Sequence, residues 1–508
     1  MAALPGIALV LIYLGFSGSR TLALGKSWLL VFVLSAFFTE VSSAFSAFNF
    51  TSLIIAWLCI CGLAFIRFLF SSKKKFSAPF LPDREELMLL AGIGIIQLIT
   101  LIIAVSAAPN NWDSMTYHLS RVAHWADQHS VAHFFTAIDR QISQPPGAEF
   151  LIAQLYILEG TDKWANLVQW TSGLVALAAV YRIGLFLGES KKVGLWSVFI
   201  AGLVPMFILQ SSSTQNDLVV ASFLLWTMAF ALESLKRSNL KSISTLHWAG
   251  LAFAAAVLTK GTALVFGIPI FVLLLFKTWR RFRTKIVFPA ATALLFLLLL
   301  NGPHWTRNFQ EFNSPLGPAY GLANKPIAGP AILLNTTKNL THQLRSPANA
   351  VNTLMERAVH GVHSVLGFDV NQGALHWSGS PGYSLTYQGK NSYLHEDYGP
   401  GPMHILFFLI ALVWIGLKGD RNWKIYAVFC FCLILIFSAV LKWQIWHARL
   451  LLPFYLFISP LIAWLFLRIP KWPAAILFFL CAIPFLIQNH SRPLVGQTSI
   501  LRTTKWEQ

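Results

Sequence analysis

Apolar stretches of membrane-spanning or nearly spanning length recur from one end of this 508-residue sequence to the other, separated by short turns of lysine and arginine. Residues 87–108, LMLLAGIGIIQLITLIIAVSAA, contain no charge at all. A hydrocarbon core about 30 Å thick takes roughly 20 residues of helix, and inside it each backbone N–H and C=O must find its partner within the protein. Only 11% of the residues are charged, against about 25% in an ordinary soluble domain. The sequence therefore predicts an all-α polytopic membrane protein of about 12–14 helices.

A net charge of +18 raises the question of nucleic acid. The basic residues instead gather in turns between apolar runs: Lys73-Lys74-Lys75, Lys191-Lys192, Lys236-Arg237 and Arg280-Arg281. That is the pattern of cytoplasmic loops, and with no arginine-rich arm or nucleic-acid motif it argues against a nucleic-acid partner. Cys59, Cys61, Cys430, Cys432 and Cys481 all lie inside apolar runs, where they read as packing residues and not as disulfides or zinc ligands. The first run, about Leu4 to Phe16, has no basic flank before it and reads as a short span, not a cleaved leader.

With the basic turns inside, the chain divides into an N-terminal group of spans (1–86), a core (87–302) with an outer loop at 109–163, a long outer loop (303–402) and closing spans with a short tail (403–508). Expected spans are Trp164–Leu187, Val193–Leu209, Leu218–Leu235, Ile286–Leu300, Met403–Leu417, Ile425–Leu441, Leu450–Leu467 and Ala474–Ile487. The segment from His247 to Phe276 lies between two basic turns and must cross an even number of times. It is expected to form two short helices turning at Thr259-Lys260-Gly261. Every histidine except His247 then falls on the outer side, where the loops are long.

The outer segments carry the candidate chemistry. In NNWDSMTYHLSRVAHW, Asp113 stands just before a helical register that puts Met115, Leu119, Val122 and Ala126 on one face and His118, Arg121 and Trp125 on the other. This predicts an interfacial helix, with Asp113 either its N-cap or a reactive carboxylate. Pro145-Pro146 precede GAEFLIAQLYIL, too short to span and expected to be a second interfacial helix roofing a cavity with the first. Lys260 reads as a snorkelling side chain or a phosphate contact. Arg449, beside Trp443, Trp446 and His447, reads as a belt anchor or a planar fork for phosphate oxygens. Asp217 is expected to cap a helix. His395, Glu396 and Asp397 form either a solvated turn or part of the site. Trp112, Tyr117, His118 and His447 complete the substrate-site candidates, and a metal is left open.

These motifs occur in a recognisable order: Asp113 after an early span, Pro145-Pro146, LTKG around Lys260, NGPHWTRNFQEFNSPLGPAY from Asn301, and WHARLLLP around Arg449. In that order, from about Leu87 to Leu467, the chain resembles the bacterial members of glycosyltransferase family 39, the dolichyl-phosphate-mannose–protein mannosyltransferase-like enzymes of the GT-C superfamily. The resemblance implies a polyprenyl-phosphate-linked sugar donor, an acceptor met on the outer (periplasmic) face of a bacterial inner membrane, and inverting transfer. It makes Asp113 the catalytic aspartate and Lys260 and Arg449 the donor-phosphate ligands. The adjacent Asp-Glu pair of protein mannosyltransferases is missing, because Asp127 and Asp139 are separated along the chain. Sugar, acceptor (lipid, glycan or protein) and any divalent metal stay open. A polysaccharide ligase or polymerase and a lipid-linked sugar transporter are the competing classes; the transporter would place polar groups at mid-membrane.

Overall fold

The computed structural model describes residues 1–70, 82–236, 240–325, 329–386, 393–504 and 507. Lys73-Lys74-Lys75 and Arg237, on which the expected orientation partly rested, lie outside the described residues.

Among the described residues the regular elements are helices. Three precede the core: α1 (Leu4–Leu14), α2 (Arg20–Ala44) and α3 (Phe50–Phe70). The core holds α4 (Arg84–Ser106), α5 (Leu119–Asp127), α6 (Gly147–Glu159), α7 (Leu167–Gly188), α8 (Lys191–Gly202), α9 (Asp217–Ser234), α10 (Leu240–Thr259), α11 (Thr262–Phe282) and α12 (Val287–Phe312). The long outer region contains α13 (Gly329–Gln343) and α14 (Asn349–Val365). Then come α15 (Pro402–Lys418), α16 (Arg421–Val440), α17 (Leu452–Phe466) and α18 (Lys471–Ile487). Among the described residues seven helices are long and apolar enough to cross a membrane and six more are apolar but shorter.

Local chemistry explains the boundaries. A capping box starts α4: the Asp83 carboxylate accepts from Glu86 N–H at 2.9 Å, and Glu86 accepts from Asp83 N–H at 3.0 Å. The expected hairpin forms, with Lys260 and Gly261 alone between α10 and α11. The span expected over Val193–Leu209 is broken after Gly202, and Pro205 opens a separate turn of helix, Pro205–Gln210. Proline supplies no N–H and is suited to a first helical turn. The helix expected to stop at Leu300 continues through Pro303 to Phe312, so the polar outer region starts later than the sequence suggests.

Helices α9 and α17 form the middle of the bundle. Every residue of α17 is buried, and so is every residue of α9 except Glu233. The polar run Gln210–Asp217 leading into α9 is buried too. Many of its groups are paired: Gln169 Nε2 donates to Gln210 Oε1 at 3.1 Å, Thr214 bonds Asn166, and Gln210 Nε2 donates to the Glu396 carbonyl at 2.8 Å, while Gln215 Nε2 and Asn216 Oδ1, nearest the site, make no hydrogen bond. A buried polar network of this kind rigidifies the backbone beneath a site.

The amphipathic helix after Asp113 packs into the protein on both faces and does not lie in an interface: Val122 of its apolar face is fully buried and Leu119 packs on the core, and the polar face is buried as well. Met115 is exposed, whereas His118, Arg121 and Trp125 are buried. A π-helical turn, Ser114–His118, precedes α5. Arg121 donates to the carbonyls of Gln141 (2.6 Å), Arg140 (3.1 Å) and Gln144 (3.0 Å) and to Glu149 Oε1 (3.3 Å); His118 Nδ1 lies 2.7 Å from the same oxygen. The polar face thus pins the turn before Pro145-Pro146. Helix α6, whose first eight residues are buried, packs within the protein.

Candidate active site

Five helix ends deliver charged side chains to one place. Asp113 lies just beyond α4, Asp217 opens α9, Lys260 sits between α10 and α11, Asp397 precedes α15, and Arg449 follows α16 in the short helix His447–Leu450. Arg449 is the hub. It donates to Asp113 Oδ2 at 2.7 Å and to Asp397 Oδ1 at 2.8 Å, contacts Gln215, and its Nε lies 3.6 Å from Asp217 Oδ2. Lys260 Nζ donates to Asp217 Oδ1 at 2.6 Å, and Arg140 approaches Asp113 Oδ1 at 3.3 Å.

Neither aspartate expected as a helix cap serves as one. Asn111 Oδ1 accepts from Ser114 N–H at 2.7 Å, leaving the Asp113 carboxylate to the two arginines. Asp217 makes no cap bond; its oxygens face Lys260 and Arg449. Its place in the first turn of α9 still suits a negative charge.

The carboxylates on Arg449 are driven apart. Burial alone would raise Asp113, but Arg449, His118 and Arg140 hold its pKa down to about 2. Asp397 goes up: its burial, with Glu396 and Asp113 nearby, outweighs Arg449. Carboxylates whose environments separate their pKa values are the usual mark of distinct acid–base roles. Burial lowers Lys260 despite Asp217.

A cavity of about 1640 Å³ opens over this cluster. Trp112, Asp113, Tyr117, Lys260, Arg449 and the whole of His395–Asp397 line it. His118 and His447 do not: His118 is turned back onto Glu149, and His447 Nδ1 pairs with Asn339 Oδ1 at 2.8 Å, away from the cavity. Glu396 is fully buried against Arg492. The sequence reading missed Arg140, Arg492, Gln215 and the aromatic residues Tyr320 and Trp377 at the rim. Among the described residues no group of three or more His, Cys, Asp or Glu is placed to hold a metal ion.

Residues 143–305 match the family model described as dolichyl-phosphate-mannose-protein mannosyltransferase. Two crystal structures of ArnT from Cupriavidus metallidurans share the architecture. The form bound to undecaprenyl phosphate is 14% identical, with a TM-score of 0.50 over 77% of this chain and 62% of that one. The apo form is also 14% identical, with a TM-score of 0.51 over 78% and 63%. The likeness is one of fold: this chain is built on the helical architecture of ArnT. A looser likeness, TM-score 0.46 at 13% identity over 80% of this chain and 55% of that one, is to the archaeal oligosaccharyltransferase AglB from Archaeoglobus fulgidus in complex with an inhibitory peptide and a dolichol-phosphate. The chain thus spans less than two thirds of the length of these structures. No curated protein matches it in sequence.

Proposed function

We propose that the chain is a membrane glycosyltransferase that moves a sugar from a polyprenyl-phosphate-linked donor to an acceptor hydroxyl with inversion. One observation carries this reading: a carboxylate, Asp113, shares a guanidinium with two others at the floor of a cavity that also presents Lys260 and Arg140.

The prenyl chain enters where α11 and α16 meet the cavity, past Val265, Leu441 and Leu450. The phosphate sits among Lys260, Arg140 and Arg449; the side chain of Arg140 is 41% exposed, reaches Asp113 at 3.3 Å and lies over the Tyr117 ring at 5.1 Å. As the anomeric carbon–oxygen bond breaks, its electron pair leaves on the phosphate, where these cations stabilise it. The acceptor oxygen attacks the opposite face of that carbon and passes its proton to Asp113. With a pKa near 2 the donor-free Asp113 is a weak base. An anion on the shared Arg449 draws that guanidinium's charge away and restores basicity, which couples donor binding to readiness for transfer.

The basic turns at Lys191-Lys192, between Lys418 and Arg421, and between Arg468 and Lys471 lie at helix ends opposite those bearing the site. This supports a site on the outer face of the membrane. His395 lines the cavity as a substrate contact beside Asp397.

Removing a general base costs on the order of 10²- to 10⁴-fold. Purified Asp113→Asn should retain its thermal midpoint within a few degrees and lose transfer by that factor, with the donor identified by mass spectrometry of envelope glycans and glycolipids with and without the gene. Wild-type turnover by Asp113→Asn, or an unchanged glycan profile, would overturn the proposal.

A further inference from the structure

The cavity is larger than a single ligand needs: about 1640 Å³, against roughly 300–1,000 Å³ for sites that enclose one drug-sized molecule. Part of its wall has no task in handling the donor. After α18 ends at Ile487, the chain turns back across the site. His490 N–H donates to the Leu394 carbonyl at 3.2 Å, and Asn110 Nδ2 donates to the Ser491 carbonyl at 2.7 Å. Arg492, fully buried, pairs with Glu396 and donates to Asn110 Oδ1 at 3.0 Å and Ser212 Oγ at 3.3 Å. Farther on, Ile500 packs on Ile103 and Ala107 at the end of α4. The segment is therefore fastened to the loop that carries Asp113 and to the loop that carries Asp397. It belongs to the site.

Its cavity lining mixes apolar Pro493, Val495 and Ile500 and the carboxylate of Glu507 with a set of neutral polar side chains. Gln488, His490 and Thr498 offer an amide, an imidazole and a hydroxyl at exposed positions, while Asn489 is buried and accepts from the Ser491 and Arg492 N–H groups and the cation of Arg492 is turned away into the protein. The His395 ring stacks at 4.5 Å on Tyr398 and lies 4.9 Å from the His490 ring, so the wall continues across the loop before α15. Beside it Trp112, adjacent to Asp113, leaves 74% of its surface uncovered in a cavity-lining position. Neutral groups that both donate and accept suit hydroxyls, each of which also does both. An open indole face suits the flat C–H side of a sugar ring. A peptide is read chiefly through its backbone at a sheet edge or in a groove, and among the described residues this segment contains no strand.

We infer that residues 488–503 wall an acceptor subsite for a carbohydrate, with Trp112 as its stacking surface and His490 and Thr498 as residues that select among hydroxyl patterns. The inference rests on the transfer reading above and names the acceptor class of that same site.

The test titrates the purified full chain, in lipid nanodiscs, with methyl and octyl glycosides of glucose, galactose, mannose and N-acetylglucosamine, following tryptophan fluorescence. A serine–threonine peptide and undecaprenyl phosphate are titrated separately. At least one glycoside should give a saturable change that Trp112→Phe abolishes. His490→Ala and Thr498→Val, both at exposed positions, should weaken its Kd at least ten-fold with the thermal midpoint kept. A preference for the octyl form supports a lipid-borne sugar and equal binding supports a soluble glycan end; both fit the inference. Undecaprenyl phosphate binding with no glycoside response, a response indifferent to all three substitutions, or saturation by the peptide alone would overturn the inference and leave the transfer reading standing. Failure to bind undecaprenyl phosphate as well would remove both.

Discussion

Around Arg449 two carboxylates, Lys260 and Arg140 line a cavity, with a third carboxylate, Asp217, buried just behind them. Around Trp443, six residues earlier in the chain, Lys338, His342, His376 and His447 are buried with uncharged partners. Lys338 Nζ donates to the Val370 carbonyl at 3.1 Å, His376 Nε2 lies 3.3 Å from the Ser380 carbonyl, and the His342 ring stands edge-on to Trp443 at 5.8 Å. The first cluster keeps its charges by pairing them; the second is buried by giving them up. Burial pushes Lys338 down to about 7 and His447 to about 3, and moves His342 and His376 in the same direction. The contrast separates a cluster of paired charges beside a cavity from one that fastens the outer region to the chain between α16 and α17. The bridge between His376 and Trp443 makes the same join.

The largest effect should come from removing the cation of the first cluster. Arg449→Leu leaves Asp113, Asp217 and Asp397 without their common partner, and breaking a buried ion pair from one side costs about 3–5 kcal/mol. The thermal midpoint in detergent at pH 7 should fall sharply. Because the penalty is carboxylate charge, the deficit relative to wild type should shrink as the pH is lowered and those groups take up protons. A deficit that stays constant or grows on acidification would mean that Arg449 acts by packing alone.

The second cluster should respond to acid with the opposite sign. An unfolded histidine titrates near 6.5; the buried ones stay neutral well below that, so as pH falls from 7 to 5 the unfolded chain gains protons that the native one refuses. Stability then falls by up to about 1.4 kcal/mol per pH unit for each such histidine. Asp113 contributes nothing to this window, since its share is lost only as pH drops from the unfolded value near 3.9 through about 2. Asp397, with its pKa raised, works against the trend. His342→Phe, which keeps the edge-on contact, should flatten the dependence between pH 7 and 5. An unchanged slope would show that this cluster is not what acid attacks.

The two regions also differ in how far sequence exposes them. Apolar runs and basic turns were sufficient for the bundle, and the lysine in an otherwise apolar hairpin located Lys260 between α10 and α11. Asp113, Lys260, Asp397 and Arg449 were marked one at a time, by being charged at the ends of spans. Their mutual distances were illegible, because each pair is joined only through the packing of α4, α9, α11 and α16. The burial of both faces of α5 was illegible for a physical reason: amphipathic spacing marks the apolar side but does not say whether the polar side meets water or buried partners. Glu149, inside an apolar segment, was the available signal that Arg121 and His118 face protein. Asp217 and Glu396 hid their roles because their partners, Lys260 and Arg492, are distant in sequence.

A steric change can test whether the floor of the site is held from behind. A methyl group on Gly147 would meet the Leu258 carbonyl, the Phe32 ring and Thr259 Oγ1, each at 2.9 Å. Two of these contacts belong to the last residues of α10, immediately before Lys260. Overpacking of this kind costs about 1–3 kcal/mol. Gly147→Ala should lower the thermal midpoint and, by shifting the Lys260 turn, weaken undecaprenyl phosphate binding. It should leave the acid response of the histidine cluster intact. Unchanged undecaprenyl phosphate binding alongside the lowered midpoint would place Lys260 outside the donor contacts.

The smallest expected effect separates the two parts played before α5. Asn111 makes the cap bond to Ser114 N–H, and Asp113 makes the bonds to Arg449 and Arg140. Asn111→Ala should cost about 1 kcal/mol, the usual value of a lost N-cap, and reduce transfer only as far as the π-helical turn carrying Asp113 loosens. Asn111→Ser, a good capping residue, should recover most of that stability, because a hydroxyl can accept the same bond. Asp113→Asn should leave the cap untouched and fail at transfer. If Asn111→Ala and Asp113→Asn instead lost transfer to the same extent, and Asn111→Ser restored nothing, the division of labour between these two residues would not hold, and Asn111 would have to touch the substrate itself.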